Sequence, residues 1–152
     1  MLIWRLTKRQ YADLSGRGGE LIGGRWHTRG RPIVYCAENV SLSVLEARVH
    51  LILSASPSDY VFMKISVPDD VGVRHIGPAD LPPDWREKQG FTRGLGDEWL
   101  EERHSMLLTV PSAIVDLERN VLMNPKHPEV SRLGAREIIP FSWDDRLLQP
   151  PG

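Results

Sequence analysis

The chain has a single cysteine, Cys36, among its 152 residues. That excludes an internal disulfide and any zinc site built from several thiolates. No apolar run approaches the ~18 residues of a membrane span. The opening "MLIWRLTKRQ" lacks the long apolar segment of a secretory signal, so the expected location is a reducing cytoplasm. Net charge is almost absent at −1, which argues against direct binding to nucleic acid. The five histidines (27, 50, 75, 104 and 127) show neither His-x-x-x-His nor His-x-x-Glu-His spacing, so no metal site is expected. Missing as well are a Walker loop, a G-x-G-x-x-G turn after a strand, and the G-x-S-x-G elbow of acyl-transfer serines. Kinases, ATPases, Rossmann dehydrogenases and serine hydrolases are disfavoured together.

What is present suffices for one domain spanning 1–152, with 41% hydrophobic residues and no internal repeat, low-complexity tract or composition break. The small net charge is unevenly placed. Residues 1–31 hold seven basic side chains against Asp13 and Glu20, a net +5 that leaves −6 for the remainder. Such a bias fits a solvated basic face or a compact site for a phosphate-bearing small molecule.

Strands are expected at 2–6, 32–37, 59–67, 71–76, 107–110, 113–117, 120–123 and 136–141, from β-branched runs and turn residues. The glycine-rich 15–24 reads as loop, and 78–96 as a proline-rich, weakly patterned segment. "SLSVLEARVHLILS" predicts a helix over 41–54, capped by Ser41 or Asn39. Its stripe of Leu42, Leu45, Val49, Ile52 and Leu53 spans about 100°. A second helix is expected over 97–107, with Asp97 as its cap. Many short strands with two or three helices predict an α+β domain, with a twisted sheet, mixed or largely antiparallel, flanked by helices.

Glu46 falls at the edge of the helical stripe, where a partly desolvated carboxylate needs a partner. It is either paired with His50 or Arg48 or turned into a functional pocket, and pattern does not choose between these. The glycines beside Arg25 would let a ligand approach the backbone while the guanidinium holds a phosphate, or they make a surface loop. Cys36, in an apolar strand, reads as a buried inert thiol. Ser112 follows a proline at a strand end and carries no nucleophile signature.

Taken in order, "GGRW", "G-x-P-x-V-Y", "LE-x-x-V-H", "G-x-x-W", "L-x-VPSA" and "N-x-L-M-NP-x-HP" resemble the RES-domain family. These are the toxins of RES–Xre bacterial toxin–antitoxin modules. The resemblance runs from Arg5 to about Pro128. The arginine, glutamate and serine of the family's name fall on Arg25, Glu46 and Ser112. Tyr35 ends "PIVY", and Arg5 in "WRL" matches an early family arginine. His27 departs from the family, which often has asparagine there, and is read as tuning near the site.

The resemblance implies an ADP-ribosyltransferase-like fold and NAD+ as substrate, with loss of nicotinamide from ribose. It further implies Glu46 on the ribose, Arg25 and Arg5 on the pyrophosphate, Tyr35 packing against nicotinamide, and Ser112 positioning the other groups. An Xre-like helix-turn-helix antitoxin and a homodimer are the partners it implies, with no membrane involved. Two other readings of the same residues are a protein ADP-ribosyltransferase and a non-catalytic nucleotide- or partner-binding module.

Overall fold

A computed structural model describes residues 1–51, 57–134 and 136–149. Its strands are β1 (Leu2–Lys8), β2 (Val34–Ala37), β3 (Tyr60–Ser66), β4 (Val73–His75), β5 (Leu107–Pro111), β6 (Arg119–Met123) and β7 (Arg136–Phe141). Its helices are α1 (Arg17–Leu21), α2 (Val40–Val49), α3 (Gln89–Glu102) and α4 (Asp145–Leu148). All seven strands join one sheet in the order β4-β5-β6-β2-β1-β3-β7. The β4–β5 pairing is parallel and the other pairings are antiparallel, so the sheet is mixed and the domain α+β.

Alternation in the sequence sets which side chains face each layer. In β3, Val61, Met63 and Ile65 are fully buried while Phe62 and Lys64 point the other way. Cross-strand partners share a face, so the register separates two cores. Ile3, Met63, Ile65, Cys36, Val121 and Leu107 build one. Leu108, Leu122 and Tyr35 build the other, beneath Trp26, Trp85 and Trp99. Strand β5 is buried along its whole length because both faces are covered. Strands β1 and β2 meet at a single pair, Trp4 with Ala37, and α2 packs against both.

Several expectations need correction. The 15–24 loop contains α1, which starts after Gly16 at φ 72; a Cβ at Gly16 would lie 2.6 Å from the Ile33 nitrogen, so a side chain is excluded. Helix α3 begins eight residues before Asp97 and ends at Glu102. Its early turns carry Gly90 and Gly94, which weaken helix propensity, and tertiary contacts supply the stability. The run 113–117 is not a strand but a turn, because the Ser112 hydroxyl draws in the backbone N–H groups of Ile114 and Val115.

The expected 41–54 helix is α2, and positions 52–54, with Ile52 and Leu53 of the stripe, lie outside the described residues. Of the remaining stripe only Leu42 is buried; Leu45 is 39% and Val49 58% exposed. The inward side is instead Leu42, Ser43, Glu46 and Ala47, turned by about a quarter of a circle. Small Ser43 and Ala47 let the helix sit close to the sheet, which brings Glu46 onto it.

Candidate active site

Asn39 caps α2 by accepting the Leu42 N–H at 2.8 Å, and Glu46 follows about two turns later. Glu46 Oε1 accepts from Ser112 Oγ at 2.9 Å and from Asn120 Nδ2 at 2.7 Å. Ser112 Oγ itself accepts the Ile114 and Val115 N–H groups, each at 3.1 Å. Both lone pairs of the hydroxyl are therefore used, and its one proton is directed at Glu46. A fully buried serine held this way is a fixed donor and not a nucleophile. Its own N–H donates to Glu118 O at 3.0 Å, closing the loop between β5 and β6. The alternative pairing of Glu46 with His50 or Arg48 does not form. His50 Nδ1 bonds the Glu46 backbone carbonyl at 2.9 Å, and Arg48 donates to Leu147 O. Among the described residues, no hydrogen bond reaches Glu46 Oε2.

Arg25 is placed by α3. Thr92 Oγ1 donates to Arg25 O at 2.6 Å, and Arg93 Nε to Gly24 O at 2.7 Å. The Asp97 carboxylate accepts Thr28 N at 2.9 Å and Thr28 Oγ1 at 2.8 Å. Asp97 is thus a clamp on the "GGRW" segment and not a helix cap. Between these bonds lies Gly96, where a Cβ would stand 1.6 Å from Trp26 O. The "G-x-x-W" spacing now has a reason: Gly96 admits the loop, and Trp99 anchors the same helix face in the core.

The Arg25 guanidinium lies 5.6 Å from the Trp85 ring centroid and donates to Arg86 O at 2.9 Å. Arg86 stands 4.7 Å from the same ring, donates through Nε to Ala113 O at 3.2 Å, and pairs with Asp116. Ala113 adjoins Ser112. One residue, Arg86, therefore joins the arginine in "GGRW" to the loop that orients Glu46.

Tyr35 shares the sheet face of Asn120, one diagonal step away across the β2–β6 pairing. Its hydroxyl turns toward the "GGRW" segment, accepting Trp26 N–H at 3.2 Å and lying 2.7 Å from His27 Nδ1. The other ring nitrogen of His27, Nε2, lies 2.7 Å from Gly19 O. A carbonyl only accepts, so Nε2 carries the proton and Nδ1 accepts from Tyr35. Burial lowers the His27 pKa, against the pull of the Gly19 carbonyl and Asp97. Burial likewise raises the Tyr35 pKa beyond any physiological range. His27 is thus a structural pivot between α1 and β2.

Arg5 is not brought to this cluster. The register puts it opposite Met63, on the face of Ile3 and Cys36, while Asn120 and Tyr35 are on the other. There it donates to Tyr11 O at 3.3 Å and lies near Asp13. Burial pushes the Cys36 thiol up to about 12, the state of an inert core residue.

The sequence held Asn120 only as the first residue of "N-x-L-M-NP-x-HP", with no role assigned, and missed Arg86 and Trp85. Asn120 lies 74 residues from Glu46, and no local spacing marks such a pair. Two cavities of about 500 and 480 Å³ are lined by other residues, among them Arg29, Arg31, Arg103 and Lys126 for the first. The Glu46 cluster is recognised by its hydrogen bonds. No three His, Cys, Asp or Glu side chains gather as a ligand set among the described residues, and no helix among them is long and apolar enough to cross a membrane.

Residues 2–144 match the RES domain. Toxin Res of Pseudomonas putida is 39% identical over 150 residues, covering 97% of this chain and 100% of that protein. Toxin Res of Photorhabdus laumondii is 38% identical over 154 residues, covering 98% of each. The Prs ADP-ribosylating toxin of a Sphingobium species is 36% identical over 154 residues, covering 96% of each. Among solved structures, a chain of the M.tuberculosis MbcT-MbcA toxin–antitoxin complex superposes with a TM-score of 0.67. That match covers 91% of this chain and 82% of that one at 19% identity, so it speaks to the fold alone. With family match and relatives extending over nearly the whole length, the chain belongs to the RES domain family.

Proposed function

We propose that this chain is the toxin of a toxin–antitoxin pair and that it breaks the nicotinamide–ribose bond of NAD+. The observation that carries the reading is Glu46, its Oε1 held by two donors and its Oε2 left as an acceptor. The relatives named Toxin Res and Prs ADP-ribosylating toxin support it. The kinship with a toxin–antitoxin complex supports an antitoxin as partner, which we take to be of the Xre-like helix-turn-helix class.

The chemistry suits these groups. As the glycosidic C–N bond breaks, its electron pair stays on nicotinamide, whose pyridinium becomes a neutral ring. No strong general acid is needed. Positive charge grows on the ribose C1′, as in glycoside hydrolysis. Glu46 Oε2 accepts from a ribose hydroxyl and stabilises that charge electrostatically. Arg25, oriented against Trp85, offers its remaining N–H groups to the pyrophosphate. The Tyr35 ring shapes the nicotinamide side. Water then adds to C1′ and loses a proton, giving ADP-ribose, and phosphate in its place gives the phosphorylated sugar.

The test is nicotinamide release from NAD+ by the purified chain, quantified chromatographically. Wild type should release it. Arg25→Ala should raise KM, and Glu46→Gln should lower kcat ~10²–10³-fold. A folded wild type that releases none would refute the reading. Transfer of ADP-ribose to a protein is the second reading, favoured by the name of the Sphingobium relative. Labelled NAD+ in a cell lysate separates the two by mass spectrometry of the proteins.

A further inference from the structure

We propose that Asn120 is a positioning residue for Glu46, fixing with Ser112 the plane in which the carboxylate meets its substrate. The inference rests on the function proposed above. A single hydrogen bond leaves a carboxylate free to swing, because its terminal torsion is broad. Two donors on one oxygen remove that freedom, since each bond favours the plane of the acceptor group. The donors at Oε1 come from separate places, the β5–β6 loop and β6 itself, so the hold is set by the sheet and not by α2 alone.

The surroundings of Asn120 argue the same way. Its directly paired cross-strand partners are Ala37 and Val110, both buried and apolar, so neither offers the amide a polar partner. The Glu46 carboxylate fixes the orientation of the amide, because a flipped group would set oxygen against oxygen. Asn120 Oδ1 is then left buried with no hydrogen-bond partner among the described residues. A buried unpaired acceptor destabilises a fold, and an apolar side chain of similar size would avoid that. The residue is explained by what Nδ2 does for Glu46 and not by stability.

The experiment compares Asn120→Ala, Asn120→Leu and Asn120→Asp with wild type in the full chain, reading kcat and KM for nicotinamide release and the melting temperature. Ala and Leu both remove the donor and should lower kcat about 10²-fold while KM changes little. Asp keeps the size but sets an oxygen against Oε1, and should be slower than Ala. A space-filling role predicts the reverse order, with Asp and Leu milder than Ala. Ala and Leu variants that fold and keep kcat within about twofold of wild type would overturn the inference and leave the NAD+ reading standing. A wild type that releases no nicotinamide removes both together. If Asp fails to fold, Ala against Leu still decides.

Discussion

Replacing Gly96 by alanine should damage the protein although local propensity favours the change. In an exposed helix alanine is better than glycine by about 1 kcal/mol. At position 96, however, the added Cβ would lie 1.6 Å from Trp26 O, where contacts under 3.0 Å force something to move. The obstacle is backbone, so α3 and the "GGRW" segment must part by more than an ångström. Overpacking of this kind costs about 1–3 kcal/mol. The same parting stretches the bonds from Thr92, Arg93 and Asp97 to residues 24, 25 and 28, at about 0.5–1.5 kcal/mol each. After subtracting the helix gain, the net loss is about 1.5–6.5 kcal/mol, or roughly 3–26 °C in melting temperature for a chain of this size. Gly94 is the internal control, exposed and with nothing within 4 Å, so Gly94→Ala should hold or slightly raise the melting temperature. Thermal unfolding by circular dichroism reads both, and KM for NAD+ should rise for Gly96→Ala because Arg25 moves with its segment. Equal melting temperatures for the two variants would refute the close-approach reasoning.

Other outcomes follow from single contacts. Ser112→Ala removes one donor to Glu46 and unties two backbone N–H groups, so calorimetry should find a loss of about 1–3 kcal/mol and kinetics a lower kcat. His27 is held neutral by burial, with its pKa below the ordinary 6.5, so the unfolded chain takes up a proton that the folded chain refuses. Stability from this group is therefore whole above about pH 6.5 and declines as pH falls below it, and His27→Gln should flatten that decline in a melting-temperature series from pH 7 to about 5. Tyr35→Phe removes the acceptor of the Trp26 N–H and the donor to His27 while keeping the ring. It should lower the melting temperature more than it lowers kcat, measured side by side.

Much of the sheet was legible because alternation and turn residues are local signals. All seven strands, β1 to β7, fall on runs that their sequence marks. The helices were harder for different reasons. Glycines disguise the first turns of α3, whose stability comes from Trp26 and the "GGRW" backbone rather than from its own propensity. The apolar stripe of α2 points outward at Leu45 and Val49, so periodicity alone chose the wrong face. At the site, the order of motifs brought out Arg25, Glu46 and Ser112, and the last two do meet. Arg5 matched on a short context and lies across the sheet, since a one-residue step along a strand reverses the face. Asn120 and Arg86 act through contacts that exist only once the chain is folded.

The most direct measurement is a proton NMR time course of NAD+ with wild type and with Glu46→Gln. Glutamine keeps a carbonyl oxygen for Ser112 and Asn120, so the variant should fold with a near-native melting temperature while its second position becomes a donor. Free nicotinamide should accumulate with wild type and ~10²–10³-fold more slowly with the variant. Release by folded Glu46→Gln at the wild-type rate would contradict the assignment of this reaction to the Glu46 carboxylate.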